Sequence, residues 1–194
     1  IHARDRAGSA QRWARAFGVT GLLFGVIAAL ADIFGLVPFA PLDEPAVAGV
    51  GIAFVAIGAA GTLAAQLAMG ESWRGDVDPD ARTALVTTGP FRLVRNPVLA
   101  STAITAIGIA LLVPNAFAAA MLVAFGASHQ TLVRLVEEPY LLKVHGEAYR
   151  RYAAVTGRFV PGIGRLRPAG RDALQPDRNH DGSAASPTGS GRQS

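Results

Sequence analysis

Long apolar runs separated by short polar stretches dominate the chain. Crossing a hydrocarbon core takes ~20 helical residues, and four runs meet that length, at about 17–37, 46–69, 97–113 and 116–136. Pro114-Asn115 is a turn dipeptide between the last two runs, so these form a tight helical hairpin. Past residue 136 the pattern becomes amphipathic. Residues 137–145 and 147–156 predict two short helices, the first ended by Gly146 and the second by Gly157. Tyr149, Tyr152 and Val155 share a face of the second at i, i+3, i+6 spacing. From Pro168 onward Gly, Ser, Pro, Asp and Arg follow one another without an apolar period. Such a segment cannot bury enough surface to order itself. The pattern therefore predicts an all-α, polytopic membrane protein with four transmembrane helices plus short cytoplasmic C-terminal helices. Residues 1–167 form one domain, 137–161 cap it, and 168–194 are a disordered tail. No internal repeats occur.

Within the first two spans, small residues recur at helical spacing: Gly21 with Gly25, and Ala56, Ala60 and Ala64. In lipid such residues let helix backbones approach closely, and both sets are expected at helix contacts. Asp32 is the one acid inside an apolar span, placed either on a polar cavity or near the outer interface.

Composition agrees with this reading. The 194 residues are 51% hydrophobic and 16% charged, against about 25% charged in ordinary soluble domains. Mean hydropathy is +0.32. Cysteine is absent, which excludes disulfides, zinc–thiolate sites and thiol nucleophiles. No metal site is expected.

Charge placement adds an orientation. All eighteen Lys and Arg residues lie at 4–15, 74–95 or from 134 onward. The connections between the first and second spans and between the third and fourth carry none, and the first of these has Asp43 and Glu44. Under the positive-inside rule both termini and the middle loop are cytoplasmic, in a multi-pass protein of a bacterial inner (plasma) membrane. The first run follows basic residues, as in a signal peptide. It exceeds the usual apolar region of roughly 7–15 residues and lacks a small-x-small cleavage site before Asp43, so it is expected to be retained. Trp73 suits an interfacial anchor, residues 76–82 a turn around Pro79, and Arg150 and Arg151 an anionic lipid surface. Nothing calls for nucleic acid or an obligate protein partner. The expected partners are membrane lipids and a lipophilic small-molecule or lipid substrate.

Two polar clusters carry the candidate chemistry. Pro97 disfavours a helical Asn96, so a helix begins at Pro97 with Arg95 and Asn96 just outside it. That end has free N–H groups and a partial positive charge, which suits a ligand carboxylate or, equally, a cap that sets topology. Glu137-Glu138 closes the fourth span. Acids are unfavourable at a helix C-terminus, so they either pair with Arg95 or Arg134 or bind a cationic ligand. The hairpin places both clusters at one depth.

Val86-Thr87-Thr88-Gly89-Pro90-Phe91-Arg92-Leu93-Val94-Arg95-Asn96-Pro97 resembles the T-G-P-Y-x-x-V-R-H-P block of the isoprenylcysteine carboxyl methyltransferase and phospholipid methyltransferase families. Glu137-Glu138, Leu141, His145-Gly146-Glu147-Ala148-Tyr149, Tyr152 and Arg158-Phe159-Val160-Pro161 resemble their closing block. The resemblance spans about residues 70–161. It implies S-adenosylmethionine as cofactor, held at the cytoplasmic membrane boundary by Arg95, Asn96, Pro97, Leu99, Ser101, Glu137, Glu138, Tyr149 and Tyr152. It further implies that Glu137 or Glu138 takes the cofactor's ammonium. Glu137 and Arg158 are the catalytic candidates, Arg158 as a guanidinium able to hold a carboxylate in bidentate fashion. Asn96 stands where the families have His, which keeps a donor and an acceptor but cannot titrate. Leu99 replaces an aromatic and Ser101 a glycine. Methyl transfer from a sulfonium needs alignment and desolvation more than acid–base catalysis. The expected acceptor is lipophilic: a carboxylate first, an amine or a thiol as alternatives. Two other readings stay open. Val160-Pro161-Gly162-Ile163-Gly164 is similar to the ending of membrane reductases of the sterol-reductase type, which use a nicotinamide cofactor. Asn96 and Leu99 also suit a non-catalytic membrane protein that kept the fold.

Overall fold

A computed structural model describes residues 2–36, 42–70 and 85–166. Trp73, the turn around Pro79 and the tail 168–194 lie outside the described residues. The described chain is helical: α1 (His2–Ile33), α2 (Pro45–Met69), a 3-10 turn (Gly89–Arg92), α3 (Pro97–Leu112), α4 (Ala116–Leu132), a π-helical turn (Val133–Glu137) and α5 (Glu138–Val155). Three stretches are long and apolar enough to cross a membrane: Gly8–Ile33, Pro45–Met69 and the continuous Ala116–Val155. This is an integral-membrane architecture. α3 is apolar but shorter, at 16 residues. At 1.5 Å per residue it reaches about 24 Å, short of a ~30 Å hydrocarbon core. The third predicted span is therefore a short helix, packed against α2 and α4.

α1 stops earlier than its apolar run. Gly35 takes φ 63°, its N–H bonds the Asp32 carbonyl, and the Leu36 N–H bonds the Ala31 carbonyl. This left-handed Schellman termination ends the helix whatever the hydropathy beyond it. Asp32 sits in the last turn with its side chain exposed. The helix also begins well before residue 17. The Ala-, Arg- and Gln-containing N-terminal segment favours helix, and its charges exclude it only from lipid.

Helices pair antiparallel, α1 with α4 and α2 with α3. Along α1, the glycines at 18, 21 and 25 face Ser128, Phe125 and Met121 of α4. Hydrogen bonds from Ser128 Oγ to the Ala14 carbonyl (2.8 Å) and Asn115 Nδ2 to the Ala28 carbonyl (2.9 Å) tie the two ends. Gly21 and Gly25 thus mark a helix contact. The alanine stripe does not. Ala56, Ala60 and Ala64 are exposed, and α2 meets α3 through Gly51, Gly58 and Gly61. The approach is closer than a methyl group permits. A Cβ at Gly58 would overlap the Thr105 side chain, and one at Gly108 would lie 2.7 Å from the Gly51 carbonyl oxygen. Glycine wins the interface because it has no side chain to displace.

The hairpin turn forms where expected. Asn115 caps α4, its Oδ1 accepting from the Phe117 and Ala118 N–H groups at 3.1 Å. Its fully buried amide also reaches α1, so one side chain ties α4 to α1. At the other end of α4 no break occurs at 136. Pro139 has no N–H and its ring would crowd the carbonyl four residues back. The chain widens into a π turn, with the Glu138 N–H bonding the Val133 carbonyl, and continues into α5. The break comes at Gly146, with φ 51° and ψ −122°. Residues 116–136 alone are long enough to span, and α5 continues past them.

Candidate functional site

The site lies where α3 begins, α4 ends and α5 returns. Gly89 (φ 57°) and Pro90 open the 3-10 turn that swings Phe91 inward, and the Tyr152 hydroxyl donates to the Phe91 carbonyl at 2.6 Å. After α5 the chain doubles back as a strap, residues 156–166. The strap runs parallel to 94–96 through a single bridge, Val94 with Gly157. The Arg95 N–H donates to the Gly157 carbonyl (2.8 Å) and the Asn96 N–H to the Arg158 carbonyl (3.1 Å). Asn96 Nδ2 adds a bond to that same carbonyl at 3.3 Å. The strap is itself folded tightly: the Arg158 N–H bonds the Ile163 carbonyl, and the Leu166 N–H the Ala153 carbonyl. Gly157 has no room for a side chain, since a Cβ would overlap the Val160 carbonyl oxygen.

Glu138 is the centre of charge. Its carboxylate takes Arg158 in bidentate fashion, Nε to Oε1 at 2.8 Å and Nη2 to Oε2 at 2.9 Å. Arg95 Nη2 reaches Oε1 at 2.9 Å and the Gly164 carbonyl at 2.6 Å. The side chains of Arg95 and Glu138 are 1% and 9% exposed. The Arg95 guanidinium also lies 5.9 Å over the ring of buried Tyr149, which meets Tyr152 edge to face. Burial pushes both phenols up to about 12, so each stays a hydrogen-bond donor at neutral pH.

Two guanidiniums share one carboxylate, so the cluster keeps a surplus positive charge. Its unmet capacity sits on Arg95, where Nε and Nη1 are buried without a hydrogen-bond partner. Buried N–H groups of this kind are costly unless an acceptor comes to them. The neighbouring acid, Glu137, is half-buried. Burial, reinforced by the Glu138 charge, pushes its carboxyl up to about 7. A buried guanidinium with two spare N–H donors, and a carboxyl one residue from its Glu138 partner that is poised near neutrality, suit a zwitterionic amino-acid group: the guanidinium for its carboxylate, Glu137 for its ammonium.

The fold gathers Arg95, Asn96, Pro97, Glu137, Glu138, Tyr149, Tyr152 and Arg158 at this end. Ser101 points elsewhere: it is buried against Gly61 of α2. Leu99 is half-buried, and its carbonyl accepts from Thr102. Arg158, expected to hold a substrate carboxylate, has its fork on Glu138 instead. Of the two roles left open for Glu137-Glu138, Glu138 takes the pairing with Arg95, and Arg158 joins it on the same carboxylate. One polar pair escaped the sequence reading. His129 of α4 and Thr102 of α3 meet at 3.0 Å; the only signal was an ionisable residue inside an apolar run.

Fold and site together define a membrane-embedded helical protein with a buried charged cluster, tied to the strap, at one end of its bundle. The sequence model of the phospholipid methyltransferase family matches residues 46–148, just over half of the chain. The protein belongs to that family, a family of membrane methyltransferases. The match runs from the start of α2 to the edge of Tyr149, so α1 and the strap lie outside it. No curated protein matches the chain.

Proposed function

We propose that the protein is an S-adenosylmethionine-dependent methyltransferase acting on a lipophilic acceptor that enters from the bilayer. The observation that carries this reading is Arg95, whose buried Nε and Nη1 lack partners at the N-terminus of α3, in contact with Glu138, the sequence neighbour of Glu137. Arg95 would hold the cofactor's carboxylate and Glu137 its ammonium. Tyr149 backs the guanidinium from its buried face. When bound, the cofactor supplies an electrophilic methyl group. The protein's own part is to orient both reactants and exclude water. The strap does this as a roof, and Arg158 positions the strap through Glu138 instead of touching the acceptor. With that fork engaged, a carboxylate acceptor loses its receptor, and a thiol or amine becomes the better fit. Residues 1–167 act as one domain. Both termini and the site face the cytoplasm of a bacterial inner membrane, as the Lys and Arg distribution favours.

Calorimetry on the full chain in lipid nanodiscs tests the reading with S-adenosylhomocysteine and with NADPH. The homocysteine compound should bind, and Arg95→Gln should weaken it about 10- to 100-fold, the worth of one charge-assisted hydrogen bond. Binding of NADPH with no binding of S-adenosylhomocysteine would replace this proposal with a reductase.

A further inference from the structure

The strap carries an exposed turn that the charged cluster does not use. The Ile163 N–H bonds the Val160 carbonyl at 3.1 Å, with Pro161 second in the turn and Gly162 third at φ 79°. Proline at the second place and a positive φ at the third are the marks of a type II turn. The Arg158 N–H bonds the Ile163 carbonyl at 2.7 Å and closes its base. All four turn residues are exposed, and none has a polar side chain. Ile163 is 66% exposed and Val160 51%, while Val155, immediately before the strap, is 68%. A turn fixed this way cannot fold those side chains inward. They are covered from outside or stay in water, at a cost proportional to their apolar area.

Level and charge select what covers them. The Arg158 carbonyl accepts from the Asn96 N–H, and apolar α3 begins at the next residue, Pro97. The strap therefore lies where an apolar helix gives way to polar chain, as at the boundary between hydrocarbon and headgroups. The Arg165 guanidinium folds back over the turn: a methyl group on Gly162 would lie 3.5 Å from its Nη2. Residues 142–166 hold five Lys or Arg and one acid, Glu147, which pairs with Arg150. Exposed apolar side chains beside a net positive charge complement the layer in which acyl chains meet anionic phosphates.

We infer that turn 160–163 docks on the bilayer surface around the protein, with Val160 and Ile163 among the upper acyl chains and Arg165 on the phosphate of an anionic lipid. The partner is the membrane surface, not a substrate held in the site. The same strap brings the Gly164 carbonyl to Arg95 at 2.6 Å and Arg158 to Glu138. Lipid that holds the turn thus also holds the strap against the charged cluster.

The chain has no cysteine, so Ile163→Cys in the full chain takes a single nitrobenzoxadiazole label. The reference is Val123→Cys, near the middle of α4 and 75% exposed. Each nanodisc holds one chain in phosphatidylcholine with about a third phosphatidylglycerol, an anionic surface. At 163 the emission should be blue-shifted. Lipid spin-labelled high on its acyl chain should quench it more than lipid labelled near the chain end, and at 123 that order should reverse. In discs of phosphatidylcholine alone, or with Arg165→Gln added, the ratio of seated to unseated turn should fall about fivefold, the worth of one cation at an anionic surface. An unshifted, unquenched label at 163 overturns the inference. So does a blue-shifted label that neither lipid quenches, because protein then covers the turn. Quenching unchanged by either loss of charge also overturns it, since no anionic headgroup is then held. Val160→Cys, read in the same way, decides the matter if Ile163→Cys does not fold.

Discussion

Replacing Glu138 by glutamine keeps the side chain's shape and removes its charge. Three contacts change together: the two to Arg158 at 2.8 and 2.9 Å, and the one to Arg95 at 2.9 Å. An amide oxygen can serve one side as a neutral acceptor. On the other side its NH2 group meets a guanidinium, donor against donor. A hydrogen bond to a charged group contributes about 1.5–3 kcal/mol, a neutral one about 1. Removing one partner of a buried ion pair costs about 3–5 kcal/mol, because the remaining charge stays buried. Here the remaining charge includes Arg95, whose side chain is 1% exposed, so water cannot replace the carboxylate. We expect Glu138→Gln to destabilise the cap by about 3–5 kcal/mol. The assay is a double-mutant cycle with Arg158→Gln on the full chain in mixed micelles. Unfolding with SDS gives stability, and trypsin cleavage at Arg165 reports release of the strap. The pair should be non-additive by about 1.5–3 kcal/mol. If the two substitutions add within about 0.5 kcal/mol, Glu138 does not clamp the strap through Arg158 and the positioning role assigned to both is wrong.

Gly157→Ala should loosen the strap by about 1–3 kcal/mol, the usual cost of overpacking, because the new methyl overlaps the Val160 carbonyl. Trypsin should then cut at Arg165 faster than in the wild type, and an unchanged rate would show that the strap is not held where Gly157 meets Val94. Glu137, held near 7 by burial, should bind a cation only when ionised. Affinity for S-adenosylhomocysteine, whose amino group stays charged, should rise between pH 6 and 8, and Glu137→Gln should flatten that profile. The stability sign is opposite: a carboxyl raised in the folded state contributes stability below its unfolded value, and this is lost as pH rises through about 7. Reporter fusions at Asp43 and Pro114 should both read the outer side, since the connections they mark carry no Lys or Arg; a cytoplasmic signal at either refutes the topology.

Several elements could be read without coordinates because local physics decides them. A run of ~20 apolar residues must pair its own backbone groups when it leaves water, so it is a helix wherever it packs. Proline at 97, Pro114-Asn115 and Gly146 punctuate the backbone through steric rules that hold in any surroundings. The end of α1 was misjudged because hydropathy reports where lipid can lie, while Gly35 decides where the helix stops. The missing break at 136 has a similar origin: Pro139 was accommodated by a π turn instead of a stop. Ala56, Ala60 and Ala64 failed as a contact because several small-residue stripes share α2, and only the facing helix selects among them.

The sequence by itself therefore determined the membrane class, the helical hairpin and the placing of two polar blocks at one end of it. Those depend on residue type and spacing along a single segment. Only the tertiary structure decided that Glu138 divides its carboxylate between Arg95 and Arg158, 43 residues before it and 20 after it in the chain. It alone left Arg95 with two unpartnered nitrogens, turned Ser101 away toward α2, and brought Thr102 against His129. Each of these follows from how far a helix is rotated about its axis and which way the strap returns. Side chains far apart in the chain settle those angles jointly, so no single stretch of sequence records them.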